Sequence, residues 1–129
     1  NASGSTTGTI YAAGLSSNTS VTMNTNAVLT STAVTTSSTS QVTADSFATA
    51  SYRSAKYFVQ ITSGSSYHVL ELSVLHDGTT VYIVTYGEQF TGSSLGTFDA
   101  TITTGTLSLL FTPTNSTTTA KLFRTLIPV

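Results

Sequence analysis

At 129 residues the chain has room for one domain, or for one small domain carrying an arm. Its nine formally charged side chains, four basic and five acidic, leave a net charge of −1, too few cations for the basic stripe of a nucleic-acid binder. Cysteine is absent, which excludes disulfides and zinc–thiolate sites, and no apolar run approaches the roughly 20 residues that span a bilayer.

Ser and Thr supply 49 residues while only 7% are charged. Thr is β-branched and suits exposed strand faces, whereas Ser favours turns. A polar but uncharged surface of this kind fits proteins that pack into assemblies or live outside cells.

The first 44 residues contain no charged side chain, and 21 of them are Ser or Thr, so a composition boundary falls just before Asp45. Residues 1–44 are expected to form an uncharged N-terminal arm, and residues 45–129 a folded domain. Within the arm, Gly8–Gly14 and Ser20–Asn24 suit short strands and Ala27–Thr36 a longer one. The arm either donates strands to this domain or a neighbour, or serves as a flexible linker.

From Gln41 the pattern is strand-like, with Val42, Ala44, Phe47 and Ala48 as its apolar positions. Three strands follow. With Gly64-Ser65 and Asp77-Gly78 as two-residue hairpin turns, Tyr57, Val59 and Ile61 face Leu72, Leu70 and His68. Leu72 and Val74 then face Ile83 and Val81, which puts one apolar stripe on the inside. The outside carries Lys56, Phe58, Gln60, Val69, Glu71, Ser73, Tyr82 and Val84.

Tyr86–Phe90 and Gly92–Gly96 read as a loop with room for one short strand, because Gly and Ser punctuate it. Thr104-Gly105 then bends a second hairpin in which Phe98 faces Phe111, Ala100 faces Leu109 and Ile102 faces Leu107. The last strand, Thr118–Ile127, has open parity, since Leu122 and Leu126 compete with Phe123 and Ile127. Helix-period segments are missing. Two sheets with one apolar face each pack face to face, so the expected fold is all-β, an antiparallel β-sandwich of seven or eight strands, jelly-roll or immunoglobulin-like.

Chemistry is sparse. His68 and His76 share the inward parity, but eight residues of strand hold them about 26 Å apart, too far to chelate one ion, and they read as polar strand ends. Glu71, opposite Phe58 and diagonal to Lys56, suits a cross-strand ion pair. Asp77 belongs to its turn, Asp99 has no second carboxylate near it, and Glu88 is a loop residue without an identifiable partner. No Gly-x-Ser-x-Gly elbow is present, and the lone GxxxxG spacing lacks the following Lys. Three N-glycosylation triplets, at Asn1, Asn18 and Asn115, are matches that a Ser/Thr-rich chain produces by chance. No catalytic, metal or cofactor site is expected. Outward Phe58, Tyr82 and Tyr86, with Lys56, Glu71 and Val84, form the candidate partner surface, to be covered by protein subunits, a stacked glycan or the arm.

Tyr52-Arg-Ser-Ala-Lys-Tyr57, His76-Asp-Gly-Thr79, Ser94-Leu-Gly-Thr-Phe-Asp-Ala100 and Leu109-Leu-Phe-Thr-Pro113 occur in that order. From about Asp45 to Ile127 the chain resembles a module recurring in structural proteins of tailed phages, especially those infecting cyanobacteria. That resemblance implies a virion component and transfers no catalytic residues. The expectation is a non-enzymatic virion protein assembled as a homo-oligomer, a trimer, most naturally a decoration or cement protein contacting the major capsid protein of the head. A tail-fibre or tail-associated module is the alternative, as is a module binding a host surface glycan. Neither nucleic acid nor membrane is an expected partner.

Overall fold

A computed structural model describes residues 20–129 of the chain. Among these residues it places nine strands: β1 (Val21–Met23), β2 (Ala27–Thr36), β3 (Val42–Ala48), β4 (Tyr52–Ser63), β5 (Ser66–His76), β6 (Val81–Phe90), β7 (Gly96–Thr103), β8 (Thr106–Pro113) and β9 (Thr118–Pro128). The Gly8–Gly14 strand expected from sequence, and the triplets at Asn1 and Asn18, lie outside the described residues.

Every strand pairing is antiparallel. One sheet has six strands in the order β1-β2-β9-β4-β5-β6, the other three in the order β3-β8-β7. Their apolar faces close on one another as a sandwich, with Tyr57, Val59, Ile61, Leu70, Leu72 and Leu122 of the large sheet against Phe47, Leu107, Leu109 and Phe111 of the small one. Residues 27–36, within the stretch whose composition suggests an arm, pair with β9 from Val28 opposite Leu126 to Thr36 opposite Thr118.

Local turn chemistry sets the two cleanest hairpins. Gly64, at φ 59°, opens the two-residue turn between β4 and β5, and the expected pairs Tyr57/Leu72, Val59/Leu70 and Ile61/His68 all form. Thr104 and Gly105 both adopt positive φ, the I′ geometry, and join β7 to β8 in the expected register from Phe98/Phe111 to Ile102/Leu107.

The β5–β6 connection departs from expectation. It is a four-residue turn closed from the Asp77 N–H to the Thr80 carbonyl, so Leu72 faces Thr85, Val74 faces Ile83 and His76 faces Val81. The cause is the Asp77 side chain, whose Oδ1 accepts the N–H groups of Thr79 and Thr80 at 2.9 and 2.7 Å and winds the turn around itself. A slip of two residues keeps every side chain on its expected face.

A second difference concerns Tyr86–Phe90, which is the end of β6 and not a loop. Gly87, at φ 64°, forms a bulge between the pairs Glu71/Tyr86 and Val69/Gln89, where the register shifts. That extra residue turns Glu88 towards the His68 end of the core.

The parity of β9 is settled by packing: Ala120, Leu122 and Leu126 are buried, and Phe123 and Ile127 face outward. β7 opens on glycine because a Cβ at Gly96 would sit 2.4 Å from a ring carbon of Phe111 and 2.7 Å from the Thr112 carbonyl oxygen.

Candidate functional site

The outer face of the six-stranded sheet carries the sequence-derived candidates. Strand alternation places Lys56 and Phe58 on β4, Glu71 on β5, and Tyr82, Val84 and Tyr86 on β6 on this one side. Register then decides which meet. Phe58 stands opposite Glu71, and Glu71 opposite Tyr86, so these three form a row across β4, β5 and β6. Lys56 leans diagonally into that row, its Nζ 3.3 Å from Glu71 Oε1 and 5.7 Å from the centre of the Tyr86 ring. Tyr86 and then Glu71 favour the charged ammonium and hold its pKa above the ordinary lysine value. Tyr82 lies further along β6, opposite Leu75, with its hydroxyl 3.5 Å from Asp77 Oδ2. Val84 sits opposite Ser73 between them.

The same face holds residues that sequence parity left open. Phe123 of β9 is directly opposite Phe58 of β4, and the two rings are 50% and 51% exposed. Beside them Lys121 stands opposite Gln60. An open depression of about 500 Å³ runs over Phe58, Gln60, Lys121 and Phe123, with Ser31 and Ala33 of β2 along its far side. With Leu75, Tyr82 and Val84 also exposed, the face is a broad apolar surface studded with hydroxyls.

The two histidines are not rim groups as expected; both are fully buried at opposite ends of β5. The Leu95 N–H donates to His68 Nδ1 at 3.3 Å, which leaves the ring proton on Nε2 facing Glu88 Oε1 at 3.2 Å. Glu88, expected to lack a partner, reaches the ring because the Gly87 bulge redirects it. His76 Nε2 donates to the Tyr52 carbonyl at 2.7 Å, while its Nδ1 accepts from Arg53 at 3.5 Å. Each imidazole therefore ties a loop or neighbouring strand to the end of the sheet.

Sequence reasoning missed a polar clamp in the interior. Arg124, cross-strand from Tyr57, donates from Nη1 to Asp45 Oδ2 on the opposite sheet and from Nε to Thr30 Oγ1 on β2. The Tyr57 hydroxyl donates to the same Asp45 oxygen at 2.9 Å. Burial, and then the neighbouring Asp45 carboxylate, push the Tyr57 phenol well above its ordinary pKa. A register shift in β3 between Thr43 and Asp45 lets the carboxylate follow Ala44 towards the interior. The one sequence signal was the position of Arg124 midway between Leu122 and Leu126, on the buried face of its strand.

Among the described residues no group of three or more His, Asp or Glu is placed to hold a metal ion. The clamp joins two sheets, and its oxygens and nitrogens serve one another. The outer face is therefore the region with unsatisfied contact capacity.

No protein-family model matches the chain, and a search of curated proteins finds no match. Among solved structures, the crystal structure of the Acinetobacter phage vB_ApiP_P1 tailspike protein is similar over 96% of this chain and 26% of its own, with a TM-score of 0.54 and 20% identity. The tailspike protein of Acinetobacter baumannii phage AM24 is more distant, matching 81% of this chain and 27% of its own at a TM-score of 0.47 and 8% identity. The chain thus shares the fold of one portion, 26% of the length, of a phage tailspike protein.

Proposed function

We propose that the chain is a structural module of a phage tail, of the kind built into tailspike proteins, and that it works by presenting the outer face of its six-stranded sheet to a partner. The observation carrying this reading is the fold shared with a tailspike over 96% of the chain. Nine strands making a compact scaffold with an apolar, weakly charged outer face fit a part that is held in a particle. The head-decoration role expected from the arm-plus-domain layout has no comparable support, and the tail alternative replaces it as the leading reading. In this role the chain contributes contact and no chemistry.

Gold-labelled antibody raised against the chain, applied to intact phage particles, tests the location. Label at the tail tip or tail sides is expected; label distributed over the head contradicts it.

A glycan-binding role is the second reading, favoured by one specific feature. Phe58 and Phe123 lie side by side in a depression edged by the Gln60 amide and the Lys121 ammonium, an aromatic floor with hydrogen-bonding rim groups. Binding to host surface polysaccharide that is lost in Phe123→Ala would favour this reading, and a flat titration with the unaltered chain would remove it.

A further inference from the structure

We infer that the outer face of the six-stranded sheet is covered by a second copy of this chain, which presents the outer face of its three-stranded sheet and sets its Asp99 against Lys121. This goes beyond the tail reading and does not depend on it.

Most of the charged side chains are held within the chain. Lys56 is matched by Glu71 at 3.3 Å and Arg124 by Asp45, and Glu88 accepts the His68 Nε2–H at 3.2 Å. Arg53 is held by the ring and carbonyl of His76, and Asp77 by the N–H groups of its own turn. Two charges remain. Lys121 has no hydrogen-bond or ion-pair partner among the described residues, and Asp99 has only the backbone N–H of Ala100, at 2.8 Å. They have opposite signs and stand on opposite outer faces of the sandwich, Lys121 on β9 of the large sheet and Asp99 on β7 of the small one. Within one chain they cannot meet. Stacking the back of one copy on the front of the next brings them together.

The neighbours of the two charges match as well. Lys121 lies two residues from Phe123, which adjoins Phe58. Asp99 lies opposite Leu110, a partly buried aliphatic side chain on a face made mostly of hydroxyls such as Thr101 and Ser108. Same-face neighbours along a strand are about 6.5–7 Å apart, and paired residues across strands about 4.5–5.5 Å. Leu110 can therefore sit on the two rings while Asp99 reaches the ammonium. No other charged side chain lies on the small sheet's outer face, so stacking buries one complementary pair and leaves no like charges opposed. The contact is heterologous, front to back, and so closes into a ring or extends as a stack.

The test is molar mass by light scattering over a concentration series, with circular dichroism on each sample to show that it is folded. The unaltered chain is expected to assemble. Lys121→Glu and Asp99→Lys each oppose like charges and should raise the concentration for assembly at least tenfold, and the double variant carrying both should restore it. Both sites are exposed, so all three variants should melt as the unaltered chain does when each is compared at a concentration where it is monomeric. Assembly unchanged in the single variants, or no rescue in the double variant, overturns the inference. So does a monomeric unaltered chain, including one that instead binds polysaccharide through Phe58 and Phe123.

Discussion

Tyr57 and Phe58 are adjacent in one strand, yet the first is fully buried and the second 51% exposed. The inner face of the six-stranded sheet is continuous with the core and shuts its few polar groups into the Asp45–Tyr57–Arg124 clamp. Its outer face repeats the same alternation with aromatic and aliphatic side chains that nothing among the described residues covers. Folding draws on one face only, because the small sheet closes that side. The other face keeps half-buried rings in cross-strand pairs, Phe58 with Phe123 among them, and still leaves apolar surface open in a single copy, the surface to which the proposed contact is assigned.

Breaking the inner face should cost most where two effects combine. Asp45→Ala removes the shared acceptor, strands the Arg124 guanidinium beneath the small sheet and leaves the Tyr57 hydroxyl unpaired. A loss of about 3–5 kcal/mol in a denaturant titration is expected. Leu72→Ala, at a position with no exposure, opens a cavity in the centre of the core and should cost about 2–5 kcal/mol. Gly96→Ala tests close approach instead of cavity formation. The added methyl meets the Phe111 ring and the Thr112 backbone, and a loss of about 1–3 kcal/mol is expected, partly relieved in the double variant with Phe111→Leu.

A smaller effect comes from the turn at the edge of the sheet. The N–H groups of Thr80 and Thr79 lower the Asp77 pKa to about 2. A carboxylate depressed in the folded state lends stability that is fully present above its unfolded value, about 3.9, and is lost as the pH falls through about 2. Asp77→Asn keeps the turn's acceptor and removes the titration. Its stability should vary less between pH 4 and pH 2 than that of the unaltered chain, as read by denaturant titrations at each pH.

Much of this contrast was legible in the residues. Alternation assigned Lys56, Phe58, Glu71, Tyr82 and Val84 to the outside, and the Gly64-Ser65 and Thr104-Gly105 turns gave the registers of their hairpins. Face assignment survives a two-residue slip, which is why the outer set stands although the Asp77 turn displaced β6. The bulge at Gly87 was hidden because a glycine inside a strand and a glycine ending one look alike in sequence. The clamp was hidden for a different reason. Arg124 and Asp45 are 79 residues apart and belong to different sheets, so only the packing of the sheets brings them together. The outward place of Phe123 was not legible, since Leu122 and Phe123 are equally apolar and the core, not the periodicity, chooses between them.

The most direct measurement pairs assembly state with stability in one variant, Phe58→Ser/Phe123→Ser. If the inner face folds the chain and the outer face assembles it, this variant will be a folded monomer that loses only the cross-strand ring pair, about 1–2 kcal/mol of unfolding free energy relative to the unaltered chain dissociated to the same state. A loss as large as that of Leu72→Ala, or an assembly identical to that of the unaltered chain, would contradict the account.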